Sequence, residues 1–269
     1  MFEILTYSFF QNALIGGIII ALLSSILGVF VVMRKEANIT HSIANFLFLG
    51  IAISLLLNGN YYVYAITFGI ISSIIIFFVE KTNFITKEST KEIISQAGIG
   101  GGIFVIGYLD NLTLDINNFL FGNILFINKT DIIILLSLLV IMYIFFFKFR
   151  NNFISIILNQ DIAKTNGINI DIYNLFFLIF LSIFIGLSIK IFGILLIGAF
   201  LIIPANIGKL LSKSLRNTFI YSSIVSLLSV VLGLFSSYYL ETTSSATIVL
   251  ILVFIFIISL IFKKTKKSY

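Results

Sequence analysis

The sequence contains no cysteine and no tryptophan, one proline (Pro204), one histidine (His41) and only 10% charged residues. Without cysteine there is neither a disulfide framework nor a thiolate metal site. Charge this sparse excludes an ordinary soluble domain, in which ~25% of residues are charged. The 269 residues are 59% apolar with a mean hydropathy of +1.16. Residues 132–147, 218–240 and 242–262 carry no charge at all. The net charge of +6 does not indicate nucleic acid, because no soluble surface exists on which to spread it. No nucleotide-binding loop, no Ser/His/Asp set and no pair of intramembrane carboxylates is visible. Gly98-Ile-Gly100-Gly101-Gly102 lies in an apolar run without a following Lys-Ser/Thr, so it is not a phosphate cradle. No cleavable leader is expected, since the first apolar segment is long and lacks a basic start.

Runs of this length read as membrane helices, which need ~20 apolar residues each. Continuous rather than alternating apolar runs exclude a strand barrel. The expected fold is an all-α polytopic membrane protein of about eight or nine transmembrane helices, forming one domain over 1–269. Spans are expected near 9–33, 39–57, 61–79, 93–109, 131–148, 172–188, 190–208, 218–239 and 244–262. The 172–208 stretch reads either as two short spans meeting at Lys190 or as one broken helix. With the N-terminus outside, 15 of the 17 basic residues fall in the cytoplasm, only Lys129 and Lys190 lying outside. That bias fixes the expected orientation, with the C-terminus cytoplasmic. The acidic 110–115 stretch is then an outer loop, and 119–127 stays outside as a half-helix too short to span.

Three groups of residues stand out. An ionisable residue inside a span marks a candidate site, and His41 and Asn45, four residues apart, share one helical face. Thr40 is the expected N-cap. The pair reads either as part of a cation path, two copies in a dimer supplying four ligands, or as the polar start of a helix near the interface. The second group, Gln160-Asp161-Ile-Ala163-Lys-Thr-Asn-Gly167, predicts a short cytoplasmic amphipathic helix within about 158–170 stopped by Gly167. It is either a docking element or an ordinary connection. The third, Lys190 to Asn206 with Gly193, Gly198 and Pro204, predicts close helix packing and a kink, read as a pore-lining broken helix or as tight packing, which are compatible.

In order and spacing, these groups resemble the membrane subunits of the zinc/manganese-type ABC importers. The resemblance runs over roughly 9–262. It includes Asn12 to Gly17, Leu27 to Arg34, Leu49-Gly50-Ile-Ala52, Asp161-x-Ala163-x-x-x-Gly167 and Gly193 to Ala205. It implies a type II ABC importer-like permease in a bacterial inner or plasma membrane, moving zinc, manganese or iron by ATP-driven alternating access. Asp161, Ala163 and Gly167 would dock a cytoplasmic ATP-binding subunit, and ATP would be used on that subunit rather than on this chain. The implied partners are an extracytoplasmic metal-binding protein, a second permease subunit (homodimer or heterodimer) and membrane lipid, with no nucleic acid. The chain would carry no resident cofactor and would be a transport subunit rather than an enzyme. One departure is notable. The family usually has Asp and, four residues later, His in the second span, where this sequence has His41 and Asn45. Loss of the carboxylate weakens a divalent-cation site. It leaves open a different substrate, a degenerate site, or one half of a heterodimer whose partner keeps the ligands. The competing readings are a self-contained secondary carrier or channel and a non-transporting, degenerate permease-like subunit.

Overall fold

The uncharged runs fold as helices. The structure, a computed structural model, describes residues 7–82, 84–108 and 119–267; the acidic 110–115 stretch lies outside the described residues. In chain order the helices are α1 (Ser8–Met33), α2 (Asn38–Leu56), α3 (Tyr61–Thr82), α4 (Lys87–Ile106), α5 (Lys129–Lys148), α6 (Arg150–Leu158), α7 (Gln160–Thr165), α8 (Ile170–Leu211), α9 (Leu215–Tyr239) and α10 (Ser244–Lys267), with a 3-10 turn at Ile124–Phe126. Among the described residues no strand occurs.

Seven of these helices, α1, α2, α3, α5, α8, α9 and α10, are long and apolar enough to cross a membrane. The sequence reading of eight or nine differs from this at two places. The expected 93–109 span is present as α4, but it starts earlier, at Lys87. Lys91, Glu92, Gln96 and four glycines dilute its apolar content. Its start is set by the Thr86 hydroxyl, which accepts from the Ser89 N–H at 3.2 Å, an N-cap. The expected spans at 172–188 and 190–208 run together as α8, 42 residues long. A straight helix of that length would measure about 63 Å, twice the ~30 Å hydrocarbon layer. The element is in fact broken, and the break falls at Gly193 (φ 74°, ψ 162°). Only glycine occupies that backbone region without strain.

Contacts divide the chain into two compact units, one formed by residues 1–35, 115–139 and 188–269, the other by 36–114 and 140–187. In the first unit α1 is the most enclosed span, 78% of its apolar window being buried. Gly28 lets α1 approach the backbone at Leu201 and the methyl of Ala205. Val29, Val32 and Ala205 form a core there, flanked by Met33, Ile202 and Phe219. The Ser25 and Ser223 hydroxyls share a hydrogen bond at 2.8 Å. Small residues and hydroxyls of this kind hold helices together where lipid removes the hydrophobic drive.

In the second unit α2 packs against both α3 and α4. Ser73 and Ser182 share a hydroxyl–hydroxyl hydrogen bond, and Ser182 also donates to the Gly69 carbonyl at 2.9 Å. Phe145 makes ring contacts with Phe149, Phe153, Phe176 and Phe180, joining α5, α6 and the first half of α8.

Candidate functional site: a polar helix face and a capped helix pair

α2 is a regular helix from Asn38, so His41 and Asn45 do lie on one face. That face is the least enclosed side of α2. Asn38 and His41 are exposed and Asn45, Leu49 and Ile53 half-buried, while Ile39, Thr40, Ser42, Ile43 and Ala44 are buried. The stripe is polar over its first two turns and apolar beyond. The expected cap is displaced: Ala37 occupies the N-cap position without a side-chain bond. Thr40 is one turn inside, its hydroxyl donating to the Ala37 carbonyl at 2.9 Å.

The two residues differ in their engagement. Asn45 Nδ2 donates to the Ser95 hydroxyl on α4 at 2.7 Å. His41 makes no hydrogen bond or ion pair among the described residues. Its imidazole is therefore available to a ligand, whereas the Asn45 amide has only its carbonyl oxygen to offer. Gly98 makes this contact between α2 and α4 close, since a Cβ there would overlap the Asn45 carbonyl and the Phe46 backbone. One turn before Ser95 on α4, Lys91 is buried and its Nζ lies 3.5 Å from Glu80 Oε1 on α3. Neither Ser95 nor this ion pair was singled out from sequence. The only signal was that Lys91 and Ser95 stand four apart, ahead of a small-residue run. No group of three or more His, Cys, Asp or Glu side chains comes together among the described residues. A cation at His41 would thus meet an incomplete ligand set among the described residues.

The short helix predicted within about 158–170 is α7, and a second short helix, α6, precedes it. α6 ends at Leu158, and Asn159 both ends it and caps α7, its side chain accepting from Asp161 N and Ile162 N at 2.8 and 3.3 Å. Two bonds close the far end: Gly167 N–H to the Lys164 carbonyl at 3.0 Å and Ile168 N–H to the Ala163 carbonyl at 3.1 Å. This is a Schellman motif, and Gly167 takes the left-handed conformation it requires (φ 75°). Ala163 is 0% exposed and packs with Ile156 and Ile170, flanked by Ile168 and Tyr173. Asp161, Ile162, Lys164 and Thr165 are exposed. The segment thus has a buried mounting side and an exposed bearing side. Ala163 belongs to the mount, while Asp161 lies on the bearing. The mount is continued by Tyr173, whose hydroxyl accepts from Asn152 Nδ2 at 2.5 Å.

Gly193, Gly198 and Pro204 are all buried in α8. The non-helical residue is Gly193, and the chain stays helical through Pro204. Asn206 Nδ2 donates to the Ile202 carbonyl at 3.0 Å.

The ABC 3 transport family matches residues 6–263. The chain belongs to that family. The zinc uptake membrane protein ZnuB of Haemophilus influenzae is 30% identical over 99% of this chain and 100% of its own length. The manganese transport membrane protein MntC of Listeria monocytogenes is 28% identical over 96% of this chain and 92% of its own. Among solved structures, PsaBC from Streptococcus pneumoniae in complex with Fab has a TM-score of 0.84 at 27% identity. It covers 95% of this chain, which covers 92% of it. The ABC 3 fold therefore spans both units of the chain.

Proposed function

We propose that this ABC 3 family chain is the permease subunit of a binding-protein-dependent importer of a divalent transition-metal cation. The observation that carries the reading is likeness from end to end: the whole chain aligns with relatives named for zinc uptake and manganese transport. In this reading a binding protein on the outer face delivers the ion to a passage between two permease subunits. A cytoplasmic ATPase, bearing on Asp161 and its exposed neighbours, drives the passage from one access state to the other. The rigid mount beneath α7 supports that role, because force applied to a loosely held loop would not reach the spans.

His41 is the residue on this chain best placed to meet the cation. Its imidazole suits zinc or iron, it has no partner among the described residues, and it stands on the open stripe of α2. Asn45 contributes a carbonyl oxygen to the same face while its nitrogen is held by Ser95. The remaining ligands would come from the second permease subunit. The N-terminus is outside and the C-terminal basic tail cytoplasmic, by the distribution of Lys and Arg.

Cells lacking this gene should contain less of one metal, by elemental analysis, and regain it when gene and ATPase are both supplied. Accumulation of metal by this chain alone in liposomes under an ion gradient would refute the reading.

A further inference from the structure

The break in α8 is filled by another part of the same unit. The Lys190 carbonyl, three residues before Gly193, accepts from the backbone N–H of Asn123 at 3.0 Å. Gly122 and Gly193, both with positive φ, approach so closely that a Cβ on either would overlap the other strand of backbone. From the opposite side, the Ser245 hydroxyl donates to the Phe121 carbonyl at 2.8 Å. Buried irregular backbone persists only where its polar groups find partners. Here the 119–128 segment and the α8 break satisfy each other.

Side chains fasten the arrangement. Lys190 Nζ lies 3.0 Å from Asp131 Oδ2, with side-chain exposures of 20% and 8%. The same carboxylate oxygen accepts from the Asn128 N–H at 3.0 Å. One carboxylate thus ties the end of the 119–128 segment, the start of α5 and the broken point of α8. A recess of about 480 Å³ adjoins it, with Ser8, Asn12, Asn128 and Lys190 as its polar lining. An ion pair this enclosed is not an economical source of stability, which points to a positioning role.

We infer that Lys190 and Asp131 form an ionic clasp. They are positioning residues that hold the 119–128 segment in the α8 break, and transport requires the segment to be held. The uptake part of this inference rests on the importer reading; the clasp itself does not.

The chain has no cysteine, so N128C introduced alone reports on the recess by its rate of modification with a water-soluble maleimide in the assembled complex. K190M and D131N should each raise that rate about fivefold, as local opening does, while K190R and D131E should stay near the parent. Equal rates in K190M and K190R would overturn the clasp. If the neutral variants fail to assemble, assembly of K190R and D131E supports the charge requirement, and their failure as well overturns it. Zinc, manganese and iron uptake per assembled complex should lose maximal rate in K190M and D131N without a change in half-saturating concentration, since no metal ligand is removed. Parent-level uptake in both would overturn the requirement for transport. A labelling response in a chain that imports none of these metals would leave the clasp standing and remove the importer reading.

Discussion

Asn45 Nδ2 is held by the Ser95 hydroxyl at 2.7 Å, so the amide four residues beyond His41 is fixed by the neighbouring helix while the imidazole stays free. In the proposed cation path the two residues would therefore not contribute equally. Orientation of a ligand by an outer partner is a recurring device in metal sites.

Replacing His41 with alanine should lower metal uptake by about tenfold, on the scale of losing a group that supports a metal site, and leave assembly of the complex unchanged. Radiolabelled or fluorescent metal uptake against co-purification checks both halves. Ser95→Ala should have a smaller effect in the same assay, because it frees the Asn45 amide without removing a ligand.

Gly167→Ala should destabilise the end of α7 by about 1–2 kcal/mol, the cost of placing an L side chain in the left-handed region. Nothing lies within 4 Å of the added methyl, so the effect is one of backbone alone. Co-purification of the ATPase should weaken in Asp161→Ala combined with Gly167→Ala. Full retention would remove the docking role.

Gly98→Ala and Gly100→Ala make a matched pair. At Gly98 a methyl would overlap the Asn45 carbonyl, while Gly100 faces open space. The first should lower thermal stability in detergent by roughly 1–3 kcal/mol, the usual cost of overpacking, and the second should leave it unchanged.

Lys91→Met should destabilise by about 3–5 kcal/mol, because it leaves the Glu80 carboxylate enclosed without its cation. Glu80→Gln in the same chain should recover most of that loss. Thermal melting of the two variants and the double variant, read as a cycle, measures the coupling.

The span pattern was legible because membrane helices are written as uncharged runs: 132–147 lies inside α5, and 218–240 and 242–262 fall on α9 and α10 but for Leu240, Thr242 and Thr243. The stop at Gly167 was equally readable, since glycine beyond an amphipathic turn has a local cause. α4 was harder. It carries Lys87, Glu88, Lys91 and Glu92 at its start, so its onset was placed six residues late. Thr40 was misread as a cap because the pattern shows a capping residue type without showing where the backbone turns; the helix begins two residues before it. The pairs Asn45–Ser95, Glu80–Lys91 and Asp131–Lys190 left no mark in the sequence. Their partners are separated by 50, 11 and 59 positions, and only the packing of helices brings them together.

The division of α7 into a sunken alanine and an outward set of polar neighbours has a practical corollary. Identity changes at positions 161, 162, 164 and 165 would rewrite what the segment presents without loosening its seat on Ile156 and Ile170. A designer wishing to fit this segment to a different partner has four positions to edit and one, Ala163, to leave alone.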